Sequence, residues 1–147
     1  MSLTDVFRSL GRADAQALRK EAGNLTGTQI IDREVSIPAF DPQKDYTGWP
    51  VGAPVTDEGQ VWALIQPYNA AHYQGRPSTL RAIWGLLHTT NPQRAKAWVP
   101  PLAQSGLYLK DECYKDEAGR VWRCLAEKTN YRAVEYPAHW EEVVLDG

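Results

Sequence analysis

Residues 57–62 read Asp57-Glu58-Gly59-Gln60-Val61-Trp62, and residues 116–122 read Asp116-Glu117-Ala118-Gly119-Arg120-Val121-Trp122. The shared glycine, valine and tryptophan recur sixty positions apart. Pro77 and Pro137 keep that offset, and a closing tryptophan follows each, Trp84 or Trp140, with the second stretch four residues shorter there. Each stretch also opens on a tryptophan near a proline, Trp49-Pro50 and Trp98-Val99-Pro100. An ordered series of this kind points to internal duplication.

Each copy has a clear local reading. Asp-Glu-(Ala)-Gly is a turn, with glycine supplying the positive φ that a tight hairpin needs. Val-Trp then opens the returning strand, where branched and aromatic side chains fit a pleated surface. The strands are expected over residues 60–66 and 120–126. In the first, Val61, Ala63 and Ile65 point one way and Trp62, Leu64 and Gln66 the other, so the sheet is either covered on both sides or leaves a sticky face open. Pro38, Pro42, Pro50, Pro54, Pro67 and Pro77 break the chain into short pieces, which argues against long helices. Leu80, Ile83 and Trp84 share a helical face, which gives one or two helical turns over residues 79–86.

Upstream, residues 3–22 read as a helix, with Leu3, Val6, Leu10, Ala13 and Ala17 at a/d spacing, a capping pattern from Ser2 to Asp5, and Gly23 as a stop. The helix either docks on the body or drives self-association into a homo-oligomer. The expected architecture is mainly β: two small three-stranded antiparallel modules in tandem behind an N-terminal α-helix. The divisions fall at 1–29 for the helix and linker, 30–90 for the first repeat and 91–147 for the second.

The chain has 147 residues and a net charge of −2, with 16 basic and 18 acidic residues in mixed order. No basic stripe addresses a nucleic-acid backbone, so nucleic acid is not an expected partner. No apolar run of about 18 residues exists to span a membrane. Asp5, Arg8 and Arg12 interrupt any signal pattern. The expectation is synthesis in the cytoplasm without a signal peptide, with action in a virion or outside the cell after release. Six Trp and seven Tyr against two Phe tilt the aromatics toward rings with a polar handle, as at wet binding surfaces.

The order of opening Trp, Tyr, glycine turn, Val-x-aromatic, Pro loop and closing Trp resembles the family 5/12 carbohydrate-binding modules, or type-3 chitin-binding domains. Residues 98–143 carry it through Trp98, Tyr108, the turn to Gly119, Val121-Trp122, Tyr136-Pro137 and Trp140. Residues 40–86 carry it more loosely. The resemblance implies a compact fold of about three short strands that binds chitin or a related cell-wall glycan through exposed aromatics. The layout of the whole chain is also similar to small proteins encoded among the tail genes of phages and prophages of Gram-positive bacteria, which implies phage structural proteins as partners. The family's Ala-Lys-Trp-Trp-Thr-like ligand stretch is replaced here by Leu64-Ile65-Gln66-Pro67-Tyr68 and by Cys124-Leu125-Ala126-Glu127-Lys128-Thr129. Tyr68 survives as the ligand aromatic of copy one, and only Tyr131 substitutes in copy two.

Trp62, Trp84, Trp122 and Trp140 are expected to be the cores of the two modules, which have little else to bury. The glycan-binding set is Trp49, Gln66, Tyr68, His72, Tyr73 and Tyr131, in which flat rings meet sugar C–H faces and amide or imidazole groups meet hydroxyls. No catalytic residue is expected: the acids are turn neighbours, and no nucleophile motif occurs. His72, His88 and His139 are isolated, so neither a metal site nor a cofactor is expected. Cys113 and Cys124 flank the second turn. An aligned hairpin sets 113 opposite 124 and 115 opposite 122, which leaves open a disulfide or two packed thiols. The expected function is non-catalytic glycan binding on a phage-like particle, or, as the alternative, a purely structural assembly role.

Overall fold

The computed structural model describes residues 3–145, with side chains at residue 3 and from residue 11 onward. Helix α1 (Leu3–Glu21) passes into a 3-10 turn, and a short helix α2 (Gly27–Asp32) follows, crossing the expected boundary at residue 29. A capping box opens α2: Thr26 Oγ1 accepts from the Gln29 amide at 3.1 Å, and Gln29 Oε1 accepts from the Thr26 amide at 2.9 Å. The cap expected from Ser2 to Asp5 and the side chains of Val6 and Leu10 lie outside the described residues. The rest of the expected stripe, Leu3, Ala13 and Ala17, faces solvent. The helix docks instead through Leu18 and Ala22, one turn apart, which pack with Ile30, Ile31, Ile37 and Val61.

Strands β1 (Pro54–Asp57), β2 (Gln60–Leu64) and β3 (Trp84–Leu86) form an antiparallel sheet in chain order. Glu58 and Gly59 alone make the first turn, at φ 53° and 76°, the left-handed pair that a two-residue hairpin requires. Period-two alternation sends Val61 toward the helices and Trp62 and Leu64 into an aromatic cluster of Tyr46, Tyr68 and Trp84. Both faces of this sheet are therefore covered. The helical turns expected over residues 79–86 lie instead over residues 76–84, ahead of β3. Leu80 N donates to Arg76 O and Trp84 N to Leu80 O, closing two single turns before Trp84 enters β3.

The second half holds β4 (Lys96–Ala97), β5 (Tyr108–Leu109), β6 (Cys113–Lys115), β7 (Val121–Cys124), β8 (Lys128–Thr129) and β9 (Trp140–Val143). Four of these form a sheet in the order β4-β6-β7-β9, with β4 parallel to β6 and the other pairs antiparallel; β5 and β8 pair separately. The protein is thus mainly β, with an N-terminal helix and several small, largely antiparallel sheets. The sheets have three, four and two strands rather than three and three, because the extended segment at Lys96 satisfies an otherwise open edge of β6.

The second hairpin is shifted by one residue from the expected register. Cys113 lies opposite Arg123, Tyr114 opposite Trp122, and Lys115 opposite Val121. The cause is the turn: Asp116 N donates to Arg120 O at 2.9 Å, leaving a three-residue connection closed by Gly119 at φ 83°. A one-residue slip exchanges faces. Cys113 therefore packs with Ala95 and Val121, and Cys124 packs on the other side with Tyr108, Tyr114 and Trp140. Both cysteines are free.

The halves meet along the connecting segment. His88 stacks on Tyr108 with centroids 3.7 Å apart, and its Nε2 lies 2.9 Å from Gly106 O. Gln60 Nε2 donates to Ala97 O at 2.9 Å, and Arg81 Nη2 donates to Pro100 O at 3.1 Å.

Candidate functional site

Tyr68 sits in the core rather than on a binding face. It is 6% exposed, its backbone carbonyl accepts from Tyr46 N at 2.8 Å, and its hydroxyl accepts from Trp84 Nε1 at 3.0 Å. The pairing with the Tyr46 segment turns the ring inward, so it has no face free for a sugar. Trp49 is also engaged within the protein. The Arg19 guanidinium of α1 lies 4.6 Å above its ring, Lys44 Nζ lies at 5.6 Å, and Tyr46 packs edge-on at 4.7 Å.

His72 and Tyr73 are exposed and share a shallow depression of about 470 Å³ with Pro42 and Gln43. Tyr73 tilts against buried Tyr68 at 5.7 Å and 62°. Gln66 is exposed and lies outside that depression.

Tyr131 is the sequence candidate placed best for ligand contact. It is 48% exposed, and Tyr136, at 46%, lies nearly parallel to it at 6.1 Å and 24°. The Tyr131 carbonyl accepts from Trp140 Nε1 at 2.7 Å, which anchors this loop to the core. His139 lies 4.0 Å from the Tyr136 ring, and its Nδ1 is 2.9 Å from Thr129 Oγ1. Tyr136 is missing from the sequence-derived binding set. Its signal is Tyr136-Pro137 just before the closing Trp140.

Beside this pair, Arg132 and Pro137 from the same loop line a groove of about 610 Å³, with Trp98 and Trp122 half-buried in its wall. Trp98 is held by stacking on Tyr108 at 4.8 Å and 9°. Trp122 Nε1 donates to Asp116 Oδ2 at 3.0 Å, and Asp116 Oδ1 accepts from the Ala118 and Arg120 amides at 2.9 Å each. The Trp122 hydrogen bond, with the two amides, holds the Asp116 carboxyl below its usual range. Asp116 is thereby committed to the turn, while Arg132 pairs with Glu117 at 3.4 Å and Glu135 at 3.5 Å. Of the four tryptophans expected in the cores, Trp62, Trp84 and Trp140 are buried, but Trp122 opens onto this groove. Nothing in its local sequence marks the difference: Arg81 lies over the Trp62 ring, and Val99, from far along the chain, packs against the cluster that holds it.

Among the described residues, no group of three His, Cys, Asp or Glu side chains is arranged to hold a metal ion, and no helix is long and apolar enough to cross a membrane. No protein-family model matches the chain, and no curated protein matches it.

Proposed function

We propose that the chain is a non-catalytic glycan-binding protein in which residues 30–90 and 91–147 are two divergent copies of a carbohydrate-binding-module-like fold, and that the second copy holds the sugar. The exposed, nearly parallel Tyr131 and Tyr136 carry this reading. A pyranose presents an apolar C–H face, and fixed aromatic planes stack on it at low entropic cost. His139, 4.0 Å from the Tyr136 ring, supplies a hydrogen-bonding group for its hydroxyls.

Matching registers support the duplication. Trp62 lies opposite Val55 and Leu86, and Trp122 opposite Tyr114 and Glu142. Leu64 meets Trp84 as Cys124 meets Trp140. A parallel bridge from Ala39 to Thr56 parallels the pairing of Ala97 with Lys115. The site of action is a phage or prophage particle, with the glycan on the host cell wall.

Retention on chitin and on purified cell-wall polysaccharide tests this. Tyr131→Ala and Tyr136→Ala should each abolish most retention at unchanged melting temperature, whereas Tyr73→Ala should leave it intact. A wild-type chain retained on neither polymer sinks the reading.

The second reading, particle assembly through α1, is favoured by the row of Leu3, Ala13 and Ala17 facing solvent. It requires a concentration-dependent mass in light scattering that Ala17→Glu removes.

A further inference from the structure

The chain contains an occupied version of its own open groove. On the side of the first sheet that carries Gln60 and Trp62, residues 97–100 are tied down by side chains of the first half. Gln60 Nε2 holds the Ala97 carbonyl at 2.9 Å, Arg81 Nη2 holds the Pro100 carbonyl at 3.1 Å, and Val99 packs against the aromatic cluster. Arg81 also lies 5.1 Å over the Trp62 ring, and Trp62 is 1% exposed.

The second sheet has the same positions. Arg120 follows its turn glycine as Gln60 follows Gly59, Trp122 stands where Trp62 stands, and Pro137 precedes its closing tryptophan by three residues as Arg81 does. The turns before those tryptophans match as well: Tyr136 N donates to Arg132 O at 3.0 Å, and Leu80 N to Arg76 O at 3.0 Å. Arg120, Trp122 and Pro137 all line the groove of about 610 Å³. The difference is that, among the described residues, no segment is tied across it in this way.

We propose that this groove is a docking site for an extended, proline-containing peptide segment of a partner protein, seated against Trp122 as residues 97–100 are seated against the cluster that holds Trp62. The chemistry fits a peptide. The Asp116 carboxylate is committed to its own turn, and Glu117 pairs with Arg132 at 3.4 Å. Lys115 and Arg120, the latter 4.0 Å from Glu142, are the cations at that end and are donors suited to backbone carbonyls. The apolar wall of Trp98, Trp122 and Val134 suits proline rings, and an extended proline segment loses little entropy on docking. Glycan binding at Tyr131 and Tyr136 is not a premise here.

The test uses the full ¹⁵N-labelled chain and a synthetic peptide of its own residues 95–102, the segment this fold already seats on a sheet of this kind. Titration should produce a saturable shift of the Trp122 indole signal, assigned with Trp122→Phe. The apparent Kd should rise about tenfold in Arg120→Ala, and again when both prolines of the peptide become alanine. Three outcomes overturn the proposal. One is no shift with peptide at about 5 mM, above the weakest docking that would count as specific. Another is a Trp122 shift driven by chitotetraose and not by the peptide. The third is a shift that grows with protein concentration alone together with a doubled mass, which assigns the groove to a second copy.

Discussion

The Arg19 guanidinium stacks 4.6 Å above the Trp49 ring and joins the last turns of α1 to the loop that leads into the first sheet. Leu18 is buried beside it, and Gly23 meets Gly52 so closely that a Cβ on Gly52, at φ 95°, would lie 2.9 Å from the Gly23 Cα. The C-terminal end of α1 is thus part of the body, whatever its other end does. Arg19→Ala should cost about 0.5–1 kcal/mol, the range of a half-exposed cation–π contact. Leu18→Ala should cost about 2–5 kcal/mol. Gly52→Ala should fall nearer the second value, since both backbone conformation and space forbid a side chain there. Urea unfolding of the three variants checks the order.

Trp62 and Trp122 occupy matched strand positions but meet different surroundings. Trp62→Ala should cost about 3–5 kcal/mol, as expected for a fully enclosed ring. Trp122→Ala should cost less than half as much, because one side of that ring already faces the groove. Equal losses in denaturant unfolding would mean that the groove is closed in solution.

The turn, the Val-Trp strand and the closing tryptophan were legible because each is local chemistry: a glycine at positive φ, a branched and aromatic strand, a large ring to bury. The offset shared by Pro77 and Pro137 misleads. The turn from Arg76 to Leu80 is closed like the one from Arg132 to Tyr136, so under the proposed duplication Pro77 corresponds to Ala133. Under that duplication the loop holding Ala70–His72 and Tyr73 is extra to the first copy, and the densest polar-aromatic cluster of the sequence falls in it. Tyr68 reads as a loop aromatic because its burial depends on Trp84, sixteen residues away. The groove lies open because, among the described residues, the second sheet has no equivalent of the contacts that Gln60 and Arg81 make to Ala97 and Pro100, a difference no local pattern carries.

Cys113 and Cys124 should remain thiols under air oxidation. They project from opposite faces of one hairpin, and bridging them would require a register slip that also turns Tyr114 out of its cluster. Burial pushes the Cys113 thiol up to about 11 and raises Cys124 as well. At pH 8 neither thiol supplies much thiolate. A colorimetric thiol reagent should titrate almost none in the native protein and two in denaturant. Loss of both on oxidation, with intact folding, would refute the register.

Acid should weaken the joint between the halves through His88. Burial against Tyr108 lowers its pKa from 6.5 to about 4; the Gly106 carbonyl raises it and the Arg81 charge lowers it. The folded state therefore keeps the imidazole neutral down to about pH 4, while the unfolded chain takes up a proton below about 6.5. Because the unfolded state binds more protons in that window, this stabilisation is complete above about pH 6.5 and is lost as the pH falls toward 4. Between pH 7 and 5 the loss should reach about 2 kcal/mol. Glu112 works in the opposite sense, since burial raises its carboxyl and favours the protonated folded form in acid. Asp116, held low, contributes only below the ordinary carboxylate range. The assay is urea unfolding at pH 7, 6 and 5 for the wild type and for His88→Phe, which keeps an aromatic face against Tyr108 but cannot titrate. The wild type should lose stability across this range and the variant should lose far less. Identical slopes for the two proteins would show that His88 does not carry the acid response.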